Sequence, residues 1–326
     1  MVPSGEPVVS SFDRAGLPTV PEGSFSILAV DGGGTRGIYA AQILARAEEA
    51  LGQPVRECFD LLAGTSTGSI IVGAAAAGIP LGEVVGLFEK ESPHIFRKSR
   101  LPTLISALLR SRYSRAPLER VLEEYLPQTV LRDISTPLMI TSADISTGGV
   151  HVFKSRYLGD LGEPYERDGD VSLRDAILAS CAAPTYFDPK AVGPYLLTDG
   201  GLWANNPSII ALTEAVSKFK KGVEEVKVFS IGTGHTTTMY AERGSWGLLT
   251  GWGGNKLVSY TLGLQSQAST NMAKLILNDR YFRLDPEIDT WELDDTEHLT
   301  NLKALAERDF TYQSKAILSH IRRHTE

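Results

Sequence analysis

Ser66 stands in Gly64-Thr65-Ser66-Thr67-Gly68, between the apolar run at 59–63 and the small-residue run at 69–77. That spacing predicts a short strand, a sharp glycine-flanked turn and a buried helix. A strand–GxSxG–helix unit is a nucleophile elbow. Its two glycines, Gly64 and Gly68, let the backbone take a strained turn. The serine Oγ then projects at a helix N-terminus, where the helix dipole favours developing negative charge. The chemistry such a serine does is acyl transfer. GxSxG is a weak signal by itself in a chain holding 31 glycines among 326 residues. Its context, and two further glycine motifs, give it weight.

The first of these is Asp31-Gly32-Gly33-Gly34-Thr35-Arg36-Gly37, after a strand at 25–30 and before a helix whose apolar residues are Ile38, Ala41, Ile43, Leu44 and Ala47. Gly32, Gly34 and Gly37 also satisfy GxGxxG, a dinucleotide-binding fingerprint. That reading wants an acidic residue about 20 residues on, at the end of the second strand; here the second strand ends in Ser66. The better reading is an oxyanion hole, a run of backbone N–H groups unobstructed by side chains. Arg36 fixes that loop, pairs with a substrate phosphate or lies on the surface. The second motif is Asp199-Gly200-Gly201, after a short apolar strand and before Asn206-Pro207, a helix start. An aspartate at a strand end can serve Ser66 as general base, although Asp-Gly is also a common turn pair. His235 follows a further strand and its exit loop at 226–234, and the order Ser66, Asp199, His235 is that of an α/β-hydrolase triad. The oxyanion loop on the first strand argues against that arrangement.

Asp-Gly-Gly-Gly-x-Arg-Gly, Gly-x-Ser-x-Gly and Asp-Gly-Gly, in this order, resemble the patatin-like phospholipase family. The segments at 180–187, 202–207 and 230–234 resemble it as well, so the match covers roughly residues 25–234. The resemblance implies a dyad, with Ser66 as nucleophile and Asp199 as its base. It implies Gly32, Gly33, Gly34 and Gly37 as the oxyanion loop with Arg36 in support, Gly64, Gly68, Gly200 and Gly201 as structural glycines, and no metal or other cofactor. The implied reaction is hydrolysis of acyl esters of glycerophospholipids or other lipids through an acyl-enzyme. Some short bacterial members are anti-phage effectors that a cyclic dinucleotide switches on to degrade the cell's own membrane. The chain resembles that subgroup in length, in having no export signal and in an extra basic segment.

Strands alternating with helices from 25 to about 230 predict an α/β fold: a mostly parallel central sheet, helices on both faces, and active residues at strand ends. The expected organisation is a polar N-terminal tail (1–23), a catalytic core (24–234) and a C-terminal extension packed on the same domain (235–326), a candidate lid or regulatory region. Within it, helices are expected at 257–277 and 299–321 and a strand at 280–284. Net charge is −7 with 42% hydrophobic residues, so nothing draws the chain to nucleic acid polymers or anionic surfaces in general. Cys58 and Cys181 read as buried thiols rather than a disulfide framework. The start of the chain lacks the basic and apolar regions of a signal peptide, and no apolar run reaches about 18 residues. The expected setting is the cytoplasm, with membrane phospholipid approached from the inner face.

Two stretches are candidates for specificity. Residues 92–120 carry Arg97, Lys98, Arg100, Arg110, Arg112, Arg115 and Arg120 against one acidic residue, Glu119. The first six are candidates for contacting lipid head groups or the phosphates of a cyclic dinucleotide activator; the alternative is a solvated helix face. Residues 244–254, with Trp246 and Trp252, read as a lid, a membrane anchor or core aromatics under a loop. A ligand-gated enzyme would be compatible with a homo-oligomer, which nothing in the composition requires.

Overall fold

The computed structural model describes residues 24–97, 111–155, 167–236, 240, 244–247, 250–252, 255–289 and 291–321. The strands are β1 (Phe25–Val30), β2 (Leu61–Thr65), β3 (Leu138–Asp144), β4 (Gly149–Lys154), β5 (Lys190–Val192), β6 (Tyr195–Asp199), β7 (Val226–Ile231) and β8 (Tyr281–Leu284). The helices are α1 (Gly37–Leu51), α2 (Thr67–Ala76), α3 (Leu81–Ile95), α4 (Ala116–Tyr125), α5 (Leu173–Ser180), α6 (Gly201–Ala204), α7 (Ser208–Ser217), α8 (Asn255–Leu277) and α9 (Leu299–Ile321).

All eight strands form one mixed sheet in the order β5-β6-β3-β2-β1-β7-β8, with β4 also paired to β3. The β1–β2, β1–β7, β2–β3 and β7–β8 pairs are parallel. β1 is buried along its whole length, as a central parallel strand covered on both faces should be. Its period-2 alternation divides the core. Ile27 and Ala29 join α7 and α8 on one face; Leu28 and Val30 join α1 to α5 and α9 on the other. Every residue of α2 is buried, which explains its run of Ile, Val, Ala and Gly.

Two features position the site. β4 occupies one edge of β3 from Met139 to Asp144. β2 and β6 therefore share the opposite edge: β2 runs along it to Thr141, and β6 takes over from Ser142, antiparallel. The two strands meet head-on, β2 leaving the sheet there through Ser66 and β6 through Gly200. The second feature is β8, which extends the sheet beside β7. The chain beyond 234 thus adds a strand to the same sheet, and α9 packs along α1, where Tyr39 donates to Asp309 at 2.9 Å. No helix among the described residues is long and apolar enough to cross a membrane.

Candidate active site

Ser66 links β2 to α2 at φ 52°, ψ −123°, a left-handed conformation that a serine holds only where its surroundings enforce it. They do so at three points. The Ser66 N–H donates to Ser180 Oγ at 2.8 Å. The Ser66 carbonyl accepts from Ser69 N at 2.8 Å and Ser69 Oγ at 2.5 Å. A Cβ on Gly68 would lie 2.2 Å from the Val30 carbonyl oxygen, and one on Gly64 2.5 Å from that of Gly68. Only glycines let the helix start this close to β1.

Asp199 arrives on β6 opposite Ser142, one position beyond the Thr65–Thr141 pair. Its carboxylate accepts from Gly201 N at 2.7 Å, and the Ser66 hydroxyl beside it favours the ionised form. It is 5% exposed. Burial lifts its pKa to about 6, opposed by the Ser66 and Gly201 hydrogen bonds. A carboxylate tuned toward neutrality beside a hydroxyl is suited to act as a general base. Gly200 turns tightly over Thr141, leaving 2.3 Å between Thr141 Oγ1 and any Cβ placed there.

The glycine loop divides its donors unequally. The Gly32 N–H donates to the Asn205 carbonyl at 3.1 Å, and the Gly37 N–H bonds back to the carbonyls of Gly34 and Thr35. Neither is free for an oxyanion, contrary to expectation. The physical reason is local: Gly37 begins α1 on a 3-10 turn, and Gly32 is tied to the loop before α7. The N–H groups of Gly33 and Gly34 have no partner among the described residues. Both glycines line the same pocket as Ser66 and Thr67, where α2 presents its unpaired N-terminal N–H groups. The loop is braced by Thr233 Oγ1, which donates to the Gly32 carbonyl at 2.9 Å, and by Thr35 N, which donates to the Leu293 carbonyl at 2.8 Å. Arg36 also contacts the loop, its Nε donating to the Gly33 carbonyl at 3.3 Å.

That pocket has a cavity volume of about 80 Å³. Its walls are apolar: Ile70 from α2, Leu87 and Phe88 from α3, Leu118 and Leu122 from α4, and Val258 and Leu262 from α8. Ser66 and Asp199 stand in it, and so does Cys181, whose thiol burial pushes far above its usual range.

His235 is not a third member. Its Nδ1 faces Asp285 at 3.5 Å, a carboxylate that raises its pKa, and its backbone bridges to Glu287. The β7 exit loop carries it into a separate cleft. The alternative of a Ser66-Asp199-His235 triad therefore finds no support in this geometry. The dinucleotide fingerprint finds none either, since the glycine turn is packed against Ser66 and Asn205. Of the basic segment, Arg97 is exposed; Lys98, Arg100 and Arg110 lie outside the described residues. Arg112 is taken by Asp294 at 2.6 Å and lies over the Tyr186 ring. Arg115 is taken by Glu119 at 2.9 Å and by the carbonyls of Asp188 and Pro189. These two hold the fold together. Trp246 and Trp252 cluster with Tyr240, their ring centroids 5.4 Å apart, with Trp246 partly exposed.

Sequence reasoning missed what lies beneath the loop. Arg283 on β8, 7% exposed, grips Asp31 through both nitrogens at 2.7 and 3.1 Å and Asp285 at 2.9 Å. Burial lifts Asp31 to about 6, and Arg283 opposes the lift. The signal available was an arginine inside an apolar strand two residues before an aspartate.

Fold and site together define a serine hydrolase. The patatin-like phospholipase family model matches residues 28–212, and the chain belongs to that family. A cGAMP-activated phospholipase of Pseudomonas aeruginosa is 32% identical over 273 residues, 83% of this chain and 79% of the relative. A cUMP-AMP-activated phospholipase of Escherichia coli is 30% identical over 268 residues, 78% of each chain. Among solved structures, VipD from Legionella pneumophila has the same fold, with a TM-score of 0.50 at 13% identity over 92% of this chain and 67% of that one.

Proposed function

We propose that the protein is a phospholipase that releases fatty acid from membrane glycerophospholipids and that a cyclic dinucleotide switches it on. The observation carrying the hydrolytic part is that Ser66, held at φ 52°, and the buried Asp199 carboxylate, whose charge the Ser66 hydroxyl favours, line one apolar pocket. The switching part rests on likeness to the cGAMP- and cUMP-AMP-activated relatives.

The lipid's acyl chain lies along Ile70, Phe88, Leu118 and Leu122, which presents its ester carbonyl to Ser66. Asp199 takes the hydroxyl proton as Oγ attacks the carbonyl carbon. The oxyanion forms against the N–H groups of Gly33 and Gly34 and the N-terminus of α2. Collapse breaks the acyl C–O bond, and the lysophospholipid leaves as an alcohol with the proton from Asp199. Water, deprotonated by Asp199, then attacks the acyl-Ser66 ester. Fatty acid departs and the proton returns to Ser66. The enzyme acts at the inner face of the membrane, as the defence-effector reading requires.

The test is fatty-acid release from mixed phospholipid vesicles, with and without cyclic GMP-AMP and cyclic UMP-AMP. Release is expected from wild type with one nucleotide, and from neither Ser66→Ala nor Asp199→Asn. Equal release without nucleotide would keep the hydrolase and discard the switch.

A further inference from the structure

A second cleft lies behind the glycine loop, with a cavity volume of about 540 Å³. Asp31, Gly32 and Arg36 form one wall and α8 supplies the other, with Gln267, Asn271 and Lys274. Its lining is polar and aromatic where the acyl pocket is apolar. The two spaces share Asn205, Leu262 and Leu293, and the glycine loop is the partition between them.

Three observations give this cleft a ligand chemistry. Arg36 opens onto it with no carboxylate within ion-pair distance among the described residues, while Nε stays on the Gly33 carbonyl. Its environment is desolvated enough to lower its pKa, so the guanidinium lacks the anion that a buried cation ordinarily has. Lys274 on the facing helix is exposed and likewise has no ion-pair partner among the described residues. The acidic groups in the cleft, Asp31 and Asp285, are already held by Arg283. Tyr260 and Trp291 add ring surfaces, and the amides of Gln267 and Asn271 add paired donors and acceptors. Two cations from distant parts of the chain, lining one cleft together with rings and amides, suit a ligand bearing two phosphodiesters and heteroaromatic bases.

We propose that this cleft is the regulatory site, that it takes the cyclic dinucleotide with Arg36 and Lys274 on its phosphates, and that Arg36 carries occupancy to the oxyanion loop. The inference rests on the activation reading above. The coupling is direct. A phosphate gripped by the two terminal nitrogens of Arg36 fixes the plane of the guanidinium, and with it the Nε bond to the Gly33 carbonyl. Gly33 and Gly34 are the two loop residues with free N–H groups facing the acyl pocket. The facing helix is tied to the same loop, because Ser266 Oγ donates to Asp31 at 3.2 Å and accepts from Asn205 Nδ2 at 2.9 Å. The Asn205 carbonyl in turn holds the Gly32 N–H. A ligand bridging Arg36 and Lys274 therefore sets both sides of the partition at once. The site differs from the basic segment at 92–120, where Arg112 and Arg115 have internal partners.

The experiment is titration calorimetry of the full chain carrying Ser66→Ala, which cannot turn over lipid. The probes are cyclic GMP-AMP, cyclic UMP-AMP and monomeric dihexanoylphosphatidylglycerol. One cyclic dinucleotide is expected to bind, and adding Lys274→Glu is expected to weaken it by about tenfold or more, while Arg97→Glu changes nothing. In the active protein, Arg36→Lys is expected to retain a measurable share of the binding yet lose nucleotide stimulation of fatty-acid release. Binding indifferent to Lys274→Glu would overturn the location and leave the activation reading standing. Lysine-dependent binding of the short-chain lipid alone would make the cleft a head-group subsite and overturn its regulatory role. Binding of neither cyclic dinucleotide to a protein that hydrolyses lipid would overturn the activation reading and the inference with it.

Discussion

At the scale of single residues, the Asp199 carboxylate does two opposed things. As base it must be ionised, so hydrolysis is expected to rise with pH through a midpoint near 6, the value to which burial lifts it; a pH profile of kcat/KM on a soluble ester reads this. As a buried charge it weighs against the fold. Its folded pKa lies above the ordinary 3.8, so the penalty appears as pH rises from about 4 and is complete above about 6, at about 3 kcal/mol. Asp199→Asn is therefore expected to abolish activity while raising the melting temperature at pH 7.5. A fall instead would show that the charged hydrogen bonds to Ser66 and Gly201 outweigh desolvation. Gly33→Ala tests the oxyanion loop. Its Cβ would sit 1.9 Å from Thr233 Oγ1, so the loop must shift, and a loss of about 100- to 1000-fold in kcat is expected with little change in KM. Gly52→Ala meets nothing within 4 Å despite its φ of +67°. It serves as a control that loses only about 1 kcal/mol of stability.

At the scale of elements, the junction of β1, β2 and α2 leaves no slack. Gly68→Ala would drive a methyl into the Val30 and Asp31 carbonyls, and α2 cannot retreat because all its residues are buried. Overpacking of this kind costs about 1–3 kcal/mol or more. Here it also displaces the helix N-terminus, so thermal stability and activity are expected to fall together. Arg283 on β8 is the other critical point. Arg283→Met leaves Asp31 and Asp285 buried without a cation, which removal of one partner from a buried pair makes costly by about 3–5 kcal/mol. Arg283 holds Asp31 down to about 6, and without it the carboxyl titrates higher, so the loss is expected to shrink as pH falls toward about 6 and the variant's Asp31 takes up a proton first. Chemical denaturation at pH 5 and pH 8 measures the difference.

At the scale of the whole molecule, the sheet continues past the region the family model matches. That match ends at 212, yet β7 and β8 follow it in the sheet, and β8 brings the cation that neutralises Asp31 beside the oxyanion loop. A chain truncated after residue 277 would lose β8 and α9. It is expected to be insoluble rather than a smaller active enzyme, which expression followed by sedimentation would show. The two cleft walls also come from distant parts of the chain: the glycine loop from its start, and α8 from near its end.

The local units were legible in the sequence because each depends on short-range chemistry. A glycine before and after Ser66, a glycine run after β1 and an Asp-Gly-Gly after an apolar strand state their own backbone geometry. The buried run of α2 and the strand at 281–284 follow from hydropathy alone. What the sequence could not state is which strand edge each motif occupies. Asp199 was expected at a strand end of a mostly parallel sheet. It reaches Ser66 because β6 runs antiparallel and shares β3's edge with β2, a consequence of β4 filling the other edge. Chain order alone would also have allowed His235 in a triad; the fold sets it beside Asp285. The same distinction separates Arg36 from Arg112. Both are arginines flanked by polar residues, and only packing decided that Asp294 would neutralise one while the other faces an open cleft. Local sequence sets backbone conformation and hydropathy, whereas pairing of charges across the chain is settled by which surfaces the sheet brings together.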